Sequence, residues 1–144
     1  MRSPREKRLQ FGNPVGGARW IKEDLMQMQN EALAGMHHVA DAAQMSDLEK
    51  KHVPVIHSAA STEPGNVDVT VVVGEHMRHP NEPAHFIQWI ELWAADAFVA
   101  RIDLTAAVAE PTVTITLALT GPVELTALEH CNIHGTWDGT ATVG

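Results

Sequence analysis

From Ser46 to the C-terminus, apolar and polar residues alternate in short segments that are rich in β-branched and aromatic side chains. Alternation with a period of two is typical of half-buried β-strands. Turn-forming stretches such as STEPGN, HPNEP and TGP separate the segments. The predicted strands cover residues 53–57, 67–73, 85–93, 97–104, 112–119, 124–131 and 136–143. Seven short strands at close spacing predict an all-β fold, a seven-stranded immunoglobulin-like antiparallel β-sandwich.

The first 45 residues follow a different pattern. Residues 1–17 are basic and contain Gly and Pro at their end, which predicts an arm outside the domain. In residues 18–45, apolar residues recur every three or four positions, as on one face of an α-helix. These apolar residues are Ile21, Leu25, Met28, Ala32, Met36, Val39 and Ala43. We therefore predict an extension in residues 1–45, made of a basic arm and an N-terminal amphipathic helix, followed by a β-sandwich domain in residues 46–144.

The apolar face of the predicted helix must be buried against its own domain or against a neighbouring subunit. We favour the subunit slightly, because a helix that precedes an all-β domain often serves assembly. The methionines of this face, with His37 and His38 nearby, could also bind copper. Packing is the preferred interpretation, since Met at helical spacing commonly fills a core.

Composition narrows the classes of function. The formal net charge of −8 argues against nucleic-acid binding, which needs a surplus of Lys and Arg to neutralise phosphates. The single cysteine excludes an internal disulfide and a Cys-x-x-Cys metal site. The chain has no run of about 18 apolar residues for a membrane span, and its basic start lacks the apolar stretch of a secretory signal. We expect a cytoplasmic protein.

Nine histidines are many for a domain of this size, and several stand beside predicted turns. Loops at one end of a sandwich could bring four imidazoles and one thiolate together. The candidate ligands are His52, His79, His85, Cys131 and His134. Structural zinc is usually satisfied by four ligands, and blue copper uses two His and one Cys with a weak axial group. Imidazole suits Fe(II), and a thiolate on one axis of a square of four nitrogens leaves the opposite position open.

Three segments resemble the signature blocks of the superoxide reductases, the one-iron neelaredoxin class related to the catalytic domain of desulfoferrodoxin. They are EKKHVPVI (49–56), VGEHMRHPNEPAHFIQWIEL (73–92) and EHCNIHGTW (129–137). The resemblance covers residues 46–144 and implies an immunoglobulin-like sandwich that binds one mononuclear iron, Fe(II) or Fe(III), per chain. The implied equatorial ligands are His52, His79, His85 and His134, and the implied axial ligand is Cys131.

The same resemblance implies an activity, the one-electron reduction of superoxide to hydrogen peroxide. Turnover then needs an external electron donor, in this family typically rubredoxin or a comparable small carrier. Family members are commonly homodimers or homotetramers. Two rivals use the same ligands: a non-catalytic iron-binding or redox-sensing module, and dismutation, which would release dioxygen.

Two further residues are candidates for catalysis. In the family, a Glu-Lys pair directly precedes the first ligand histidine: the lysine attracts superoxide and orients water, and the glutamate can close the sixth position of the oxidised iron. Lys51 matches the lysine, but Lys50 occupies the glutamate position and Glu49 lies one residue earlier. Either the loop bulges to bring Glu49 within reach, or the oxidised iron carries water, hydroxide or nothing. We favour the second.

We expect the other histidines and Trp137 to have structural roles and not to bind the metal. Histidines expected to be surface or packing residues are His37, His38, His57, His76 and His130. Trp137 is expected in the core or the wall of the metal site. The backbone N–H groups of Ile133 and His134 are the expected hydrogen-bond donors to the thiolate.

Overall fold

The computed structural model describes residues 35–144, which form two β-sheets and one short helix. The elements in chain order are β1 (Met36–His37), α1 (Asp47–His52), β2 (Pro54–Ala60), β3 (Asn66–Val73), β4 (Ile87–Ala94), β5 (Ala97–Asp103), β6 (Thr112–Ala118), β7 (Val123–Cys131) and β8 (Gly135–Val143). One sheet has the order β1-β8-β7-β4-β5 and the other β2-β3-β6. Residues 36–144 form one compact unit.

The alternation of the strands places one face of each sheet in a shared core. Core side chains from the three-stranded sheet, such as Val69 and Val71, pack with Ile90, Leu92 and Leu125 from the five-stranded sheet. Burial of both inner faces makes the fold a β-sandwich.

Each of the seven predicted strands corresponds to one of the strands β2 to β8, with ends that differ by at most three residues. The prediction of a purely antiparallel sandwich was wrong at one pair of strands. The additional strand β1 pairs with β8 in parallel, with Met36 beside Thr136 and His37 beside Trp137.

The predicted helix over residues 18–45 was wrong for residues 36–45, which contain β1 and irregular backbone. Residues 18–34 lie outside the described part of the chain. The backbone N–H and C=O groups of β1 form hydrogen bonds with β8 instead of within a helix. The spacing of apolar residues alone could not show this pairing. The strand also precedes the domain boundary that we predicted at Ser46.

A helix at the start of the domain was missed. α1 begins with a capping box, in which the Ser46 hydroxyl accepts from the Glu49 N–H at 3.2 Å and the Glu49 carboxylate receives the Ser46 N–H and hydroxyl. Ser-x-x-Glu is a recognised start signal, so the sequence contained the information. In residues 35–144, no helix has the length and apolar character needed to cross a membrane.

One glycine fixes the distance between the two sheets beside α1. A Cβ at Gly139 on β8 would lie 2.1 Å from the carbonyl oxygen of Pro54, the first residue of β2. Only a residue without a side chain allows this approach. Because Pro54 follows α1 by two residues, the contact also fixes the end of the helix that carries His52.

We predict that Gly139→Ala lowers the free energy of unfolding by roughly 1–3 kcal/mol, the usual cost of forcing extra atoms into a packed site. Urea denaturation of the metal-free protein measures the effect. Gly121→Ala is the matched control, because a Cβ at the exposed Gly121 would meet nothing within 4 Å. Equal stability of the two variants would contradict the close contact.

Candidate metal centre

The candidate ligands lie where several strands reach the same end of the sandwich. Pro54 pairs with Val73, so the start of β2 lies beside the end of β3. Cys131 pairs with both Ile87 and Gly135, which brings the start of β4, the end of β7 and the start of β8 together. The segments that join these strand ends carry the histidines.

His52 is the last residue of α1 and is 1% exposed. Its Nδ1 lies 2.7 Å from the carbonyl oxygen of Leu48, one turn earlier, so Nδ1–H donates to that oxygen. The proton is therefore fixed on Nδ1, and the lone pair of Nε2 is available for a metal.

His79 is held in the same way on the loop between β3 and β4. Its Nδ1–H donates to the carbonyl oxygen of Pro80 at 2.6 Å, and the residue is 2% exposed. Its Nε2 lies 3.2 Å from His52 Nε2. Gly74 permits the fold of this loop, because its φ is +85° and an added Cβ would lie 2.8 Å from the His79 nitrogen. Two imidazoles thus present the same ring nitrogen to one point.

Asn132 joins the His85 segment to the β7–β8 turn. Its side-chain oxygen accepts from the Phe86 N–H at 2.9 Å, and its side-chain amide donates to the Ala84 carbonyl at 2.9 Å. Its own N–H donates to the Phe86 carbonyl at 3.2 Å. Three hydrogen bonds around His85 fix its position relative to Cys131. This positioning role was not predicted, although Asn is a frequent residue in turns.

The four imidazole rings form a closed square. Ring centroids are 4.7 Å apart for His52 and His79, 4.7 Å for His79 and His85, 5.1 Å for His85 and His134, and 4.9 Å for His134 and His52. Adjacent rings meet at angles of 65° to 82°. In this cycle His52 lies opposite His85 and His79 lies opposite His134.

Cys131 occupies the last inward-facing position of β7 and is fully buried. Its Sγ lies 3.8 Å from His134 Nδ1 and accepts the His134 backbone N–H at 3.4 Å. Burial raises the pKa of the thiol, and hydrogen bonds from the backbone N–H groups of His134 and Ile133 act in the opposite direction. Of the two predicted backbone donors, the His134 N–H lies within hydrogen-bond distance of the sulfur, and the Ile133 N–H acts on the pKa of the thiol.

The residues fit a metal ion. One ligand atom from each of His52, His85, Cys131 and His134 lies within 4.8 Å of the others, and within residues 35–144 this is the one such group. His79 lies outside that group but contacts His52 and His85 in the square. The Nε2 of His85 is buried and lacks a hydrogen-bond partner. A buried lone pair that faces other ring nitrogens is the expected arrangement for a ligand without its ion.

Burial favours the neutral form of three rings of the square, those of His52, His79 and His85. Burial lowers the pKa of His52 and of His79 from 6.5 to about 4, and nearby imidazoles add to the effect. Burial also lowers the pKa of His85, with further lowering by His134 and Lys51. Neutral imidazole is the form that binds a metal, so little proton release accompanies binding to these histidines near pH 7.

The two catalytic candidates differ in their surroundings. Lys51 is half-buried next to His52, and its charge acts on His85, which places a cation at the site. The Glu49 carboxylate is engaged in the capping box with Ser46. That Glu49 does not reach the metal stays a prediction.

The other histidines lie apart from the square. His57 pairs with Glu75, and His76 is exposed on the loop that precedes His79. His130 stacks on Trp89 at 5.5 Å and bonds to the Thr136 hydroxyl at 2.8 Å. Their predicted surface and packing roles agree with these positions.

Glu129 is a buried polar residue that the sequence interpretation missed. It is 0% exposed, both carboxylate oxygens lack a partner among the described residues, and burial raises its pKa to about 9. The carboxyl group is therefore protonated at neutral pH. The period of two along β7, which runs through Leu125, Ala127 and Cys131, could have identified Glu129 as inward-facing.

We predict that the metal-free protein loses stability as the pH falls from 6.5 to about 4. In this window the unfolded histidines bind protons and the folded ones do not, so unfolding is favoured by up to about 3 kcal/mol per buried histidine. Urea denaturation across the window should give a smaller pH slope for His79→Asn than for the wild type. His76→Ala is the control and should keep the wild-type slope. An unchanged slope in His79→Asn would contradict the prediction.

Comparisons with known proteins agree with this geometry. The sequence model of the desulfoferrodoxin family matches residues 44–140. The superoxide reductase of Thermococcus kodakarensis is 36% identical over 103 residues, which cover 65% of this chain and 88% of that protein.

Solved structures extend the similarity. The superoxide reductase (neelaredoxin) of Ignicoccus hospitalis aligns with a TM-score of 0.63 at 30% identity, covering 75% of this chain and 93% of that one. The superoxide reductase (neelaredoxin) of Archaeoglobus fulgidus in the reduced form aligns with a TM-score of 0.60 at 35% identity, covering 70% and 97%. With a family match over most of its length and a buried cysteine beside a square of histidines, the chain belongs to the desulfoferrodoxin family.

Proposed function

We propose that this protein is a superoxide reductase, which reduces superoxide to hydrogen peroxide by one electron. The observation that carries the proposal is the closed square of four imidazoles beside the single buried thiol. Relatives and solved structures that are named superoxide reductases support it.

The centre binds one mononuclear non-haem iron, which supplies the transferred electron by cycling between Fe(II) and Fe(III). The residues that would hold the iron are His52, His79, His85, His134 and Cys131. Neutral imidazoles and one thiolate leave a formal charge of about +1 with Fe(II), which attracts an anion. Donors to the sulfur tune such a centre, and the backbone N–H groups of the β7–β8 turn have that role here.

Lys51 is the proposed electrostatic residue. Its ammonium group lies near enough to His85 to lower the pKa of that imidazole. A cation at the rim of a low-dielectric site raises the local concentration of an anionic substrate. Lys51 therefore attracts superoxide and orients water, and protons come from the solvent. Glu49 is assigned no contact with the iron, because its carboxylate caps α1.

Turnover requires one electron per superoxide from outside the described centre. We infer an external one-electron donor such as rubredoxin, a cytoplasmic location and a homo-oligomer, a dimer or tetramer. The family resemblance supports the donor and the oligomer, and the single cysteine is compatible with a reducing compartment.

The axial role of Cys131 is tested by Cys131→Ser. The iron-loaded, oxidised wild type should show a thiolate-to-Fe(III) absorption band in the red, and the variant should lack it because serine provides no sulfur donor. His76→Ala, on the loop that carries His79, is the control and should retain the band. A wild type without the band would refute the proposed ligand set. If the oxidised protein shows the band, but superoxide does not reoxidise the protein after reduction, a sensing module would be favoured.

The role of Lys51 is tested by Lys51→Ala, with Lys50→Ala as the matched control on the same helix. Loss of an attracting charge should lower the second-order rate with superoxide by about tenfold and flatten its dependence on ionic strength. Pulse radiolysis measures both quantities. Equal rates for the two variants would exclude a specific role for Lys51.

A further inference from the structure

The short strand β1 and the residue that follows it place two histidines on opposite faces of the five-stranded sheet. Residues that are neighbours in register on paired strands share a face, and successive residues alternate. His37 pairs with Trp137 and lies on its face, at the end of the sheet that carries the metal centre. His38, one residue further, meets Asp138, with Nδ1 2.7 Å from Oδ1. Residues 37 and 38 are thus held to β8 by one contact on each face.

Three aromatic rings form one stack at this position. The ring centroids of His37 and Trp137 are 4.4 Å apart with an interplanar angle of 23°. Those of Trp137 and His52 are 4.9 Å apart at 20°. His37 is exposed, whereas Trp137 is 3% exposed and His52 is 1% exposed. A continuous series of ring faces therefore runs from the surface to a proposed iron ligand.

The indole at the centre of the stack is fixed in place. Its Nε1–H donates to the His134 carbonyl oxygen at 3.2 Å. The same side chain therefore contacts two of the proposed ligands, His52 through its ring face and His134 through its nitrogen. A bound, buried indole holds its ring contacts with little freedom to turn.

A second stack serves as an internal comparison. On the outer face of the same sheet, Trp89 stacks on His130, and the Arg101 guanidinium lies 4.6 Å above the Trp89 ring. Among the described residues, neither ring of that pair contacts a histidine of the square. The stack through His37 differs from this pair because it ends at His52, a histidine of the square.

We propose that the stack of His37, Trp137 and His52 is the route by which electrons enter the centre. The inference rests on the proposed function, because only a reductase must take up an electron from a donor in every turnover. One electron leaves a one-electron reductant at the exposed face of His37 and converts the ferric centre to the ferrous state. No bond of the protein forms or breaks, and no proton moves. Parallel ring faces in contact give continuous orbital overlap, which a saturated side chain interrupts.

The route also separates the site where the electron donor docks from the position where superoxide binds. The donor needs contact only with the surface at His37, so it can approach without entering the position where superoxide binds. His37 and Trp137 are positioning residues for the transfer, and neither is assigned a role in the chemistry of superoxide.

The test uses intramolecular electron transfer. A thiol-reactive ruthenium polypyridyl complex is attached at Ala40→Cys, an exposed position near His37, while the buried Cys131 remains unlabelled. A laser flash reduces the oxidised, iron-loaded protein, and the loss of its thiolate-to-iron absorption gives the rate. His37→Leu should slow the transfer several-fold, because it fills the space without a π system. His37→Phe should restore the rate, because it returns a ring face.

Two controls separate this role from a structural one. The midpoint potential and the absorption spectrum of the iron should be the same in all three proteins. In the metal-free protein, the His37 ring protons should show a ring-current shift in the NMR spectrum that is lost in Trp137→Leu. Equal flash-reduction rates in the three proteins, failure of His37→Phe to restore the rate, or absence of the ring-current shift would overturn the proposal.

The outcome is independent of the reductase assignment. If ferrous wild-type protein is not oxidised by superoxide, the proposed function fails, and the flash experiment still reports whether the stack carries electrons. If superoxide oxidises it normally and His37→Leu transfers electrons at the wild-type rate, only the entry route fails.

Discussion

A square of imidazole rings in mutual contact depends on its buried members staying neutral. Burial supplies most of this effect, since it holds the pKa of His52 and His79 well below neutrality. Backbone carbonyls of Leu48 and Pro80 then determine which ring nitrogen keeps its proton. The result is a set of lone pairs that converge on one point before any ion arrives, so the protein bears the cost of desolvating them in its metal-free state.

The stability of the sandwich offsets this desolvation, because the ligand segments are held between strand ends. The β7–β8 turn contributes Cys131 and His134, and Asn132 in the same turn fastens the segment of His85. The contact of Gly139 with Pro54 fixes the second sheet against the first beside α1. Rigid elements thus determine the positions of ligands that themselves lie on short loops.

Much of this arrangement was predictable from the sequence. A period of two identified the strands β2 to β8, because burial of one face imposes that period. The spacing of histidines around turns, together with the resemblance to a family, selected the ligand set. What the sequence did not provide is which distant side chains meet. β1 has only two residues, too few for any periodicity, and its pairing depends on β8, a hundred positions later. The helical spacing of Met36, Val39 and Ala43 therefore gave a wrong prediction there.

The misses at α1 and Glu129 have different causes. The capping box of α1 was readable, but a six-residue helix is too short to show a helical period. Glu129 follows the alternation of β7, yet a carboxyl group is rarely expected in a core because burial of its charge is costly. Its raised pKa resolves the conflict, since the group is buried in its uncharged form.

Because Glu49 caps α1, its carboxylate has two alternative positions, at the cap and near the metal, and the cap favours the first. A carboxylate that left Ser46 to approach the metal would forfeit the cap, an interaction worth about 1 kcal/mol. That difference alone reduces the open arrangement by roughly fivefold relative to the capped one. Any attraction by the ferric charge must first exceed this bias. In the proposed iron centre, small anions and water from the solvent would therefore compete for the open coordination position. Their concentrations, and not a side chain of this helix, would set its occupancy.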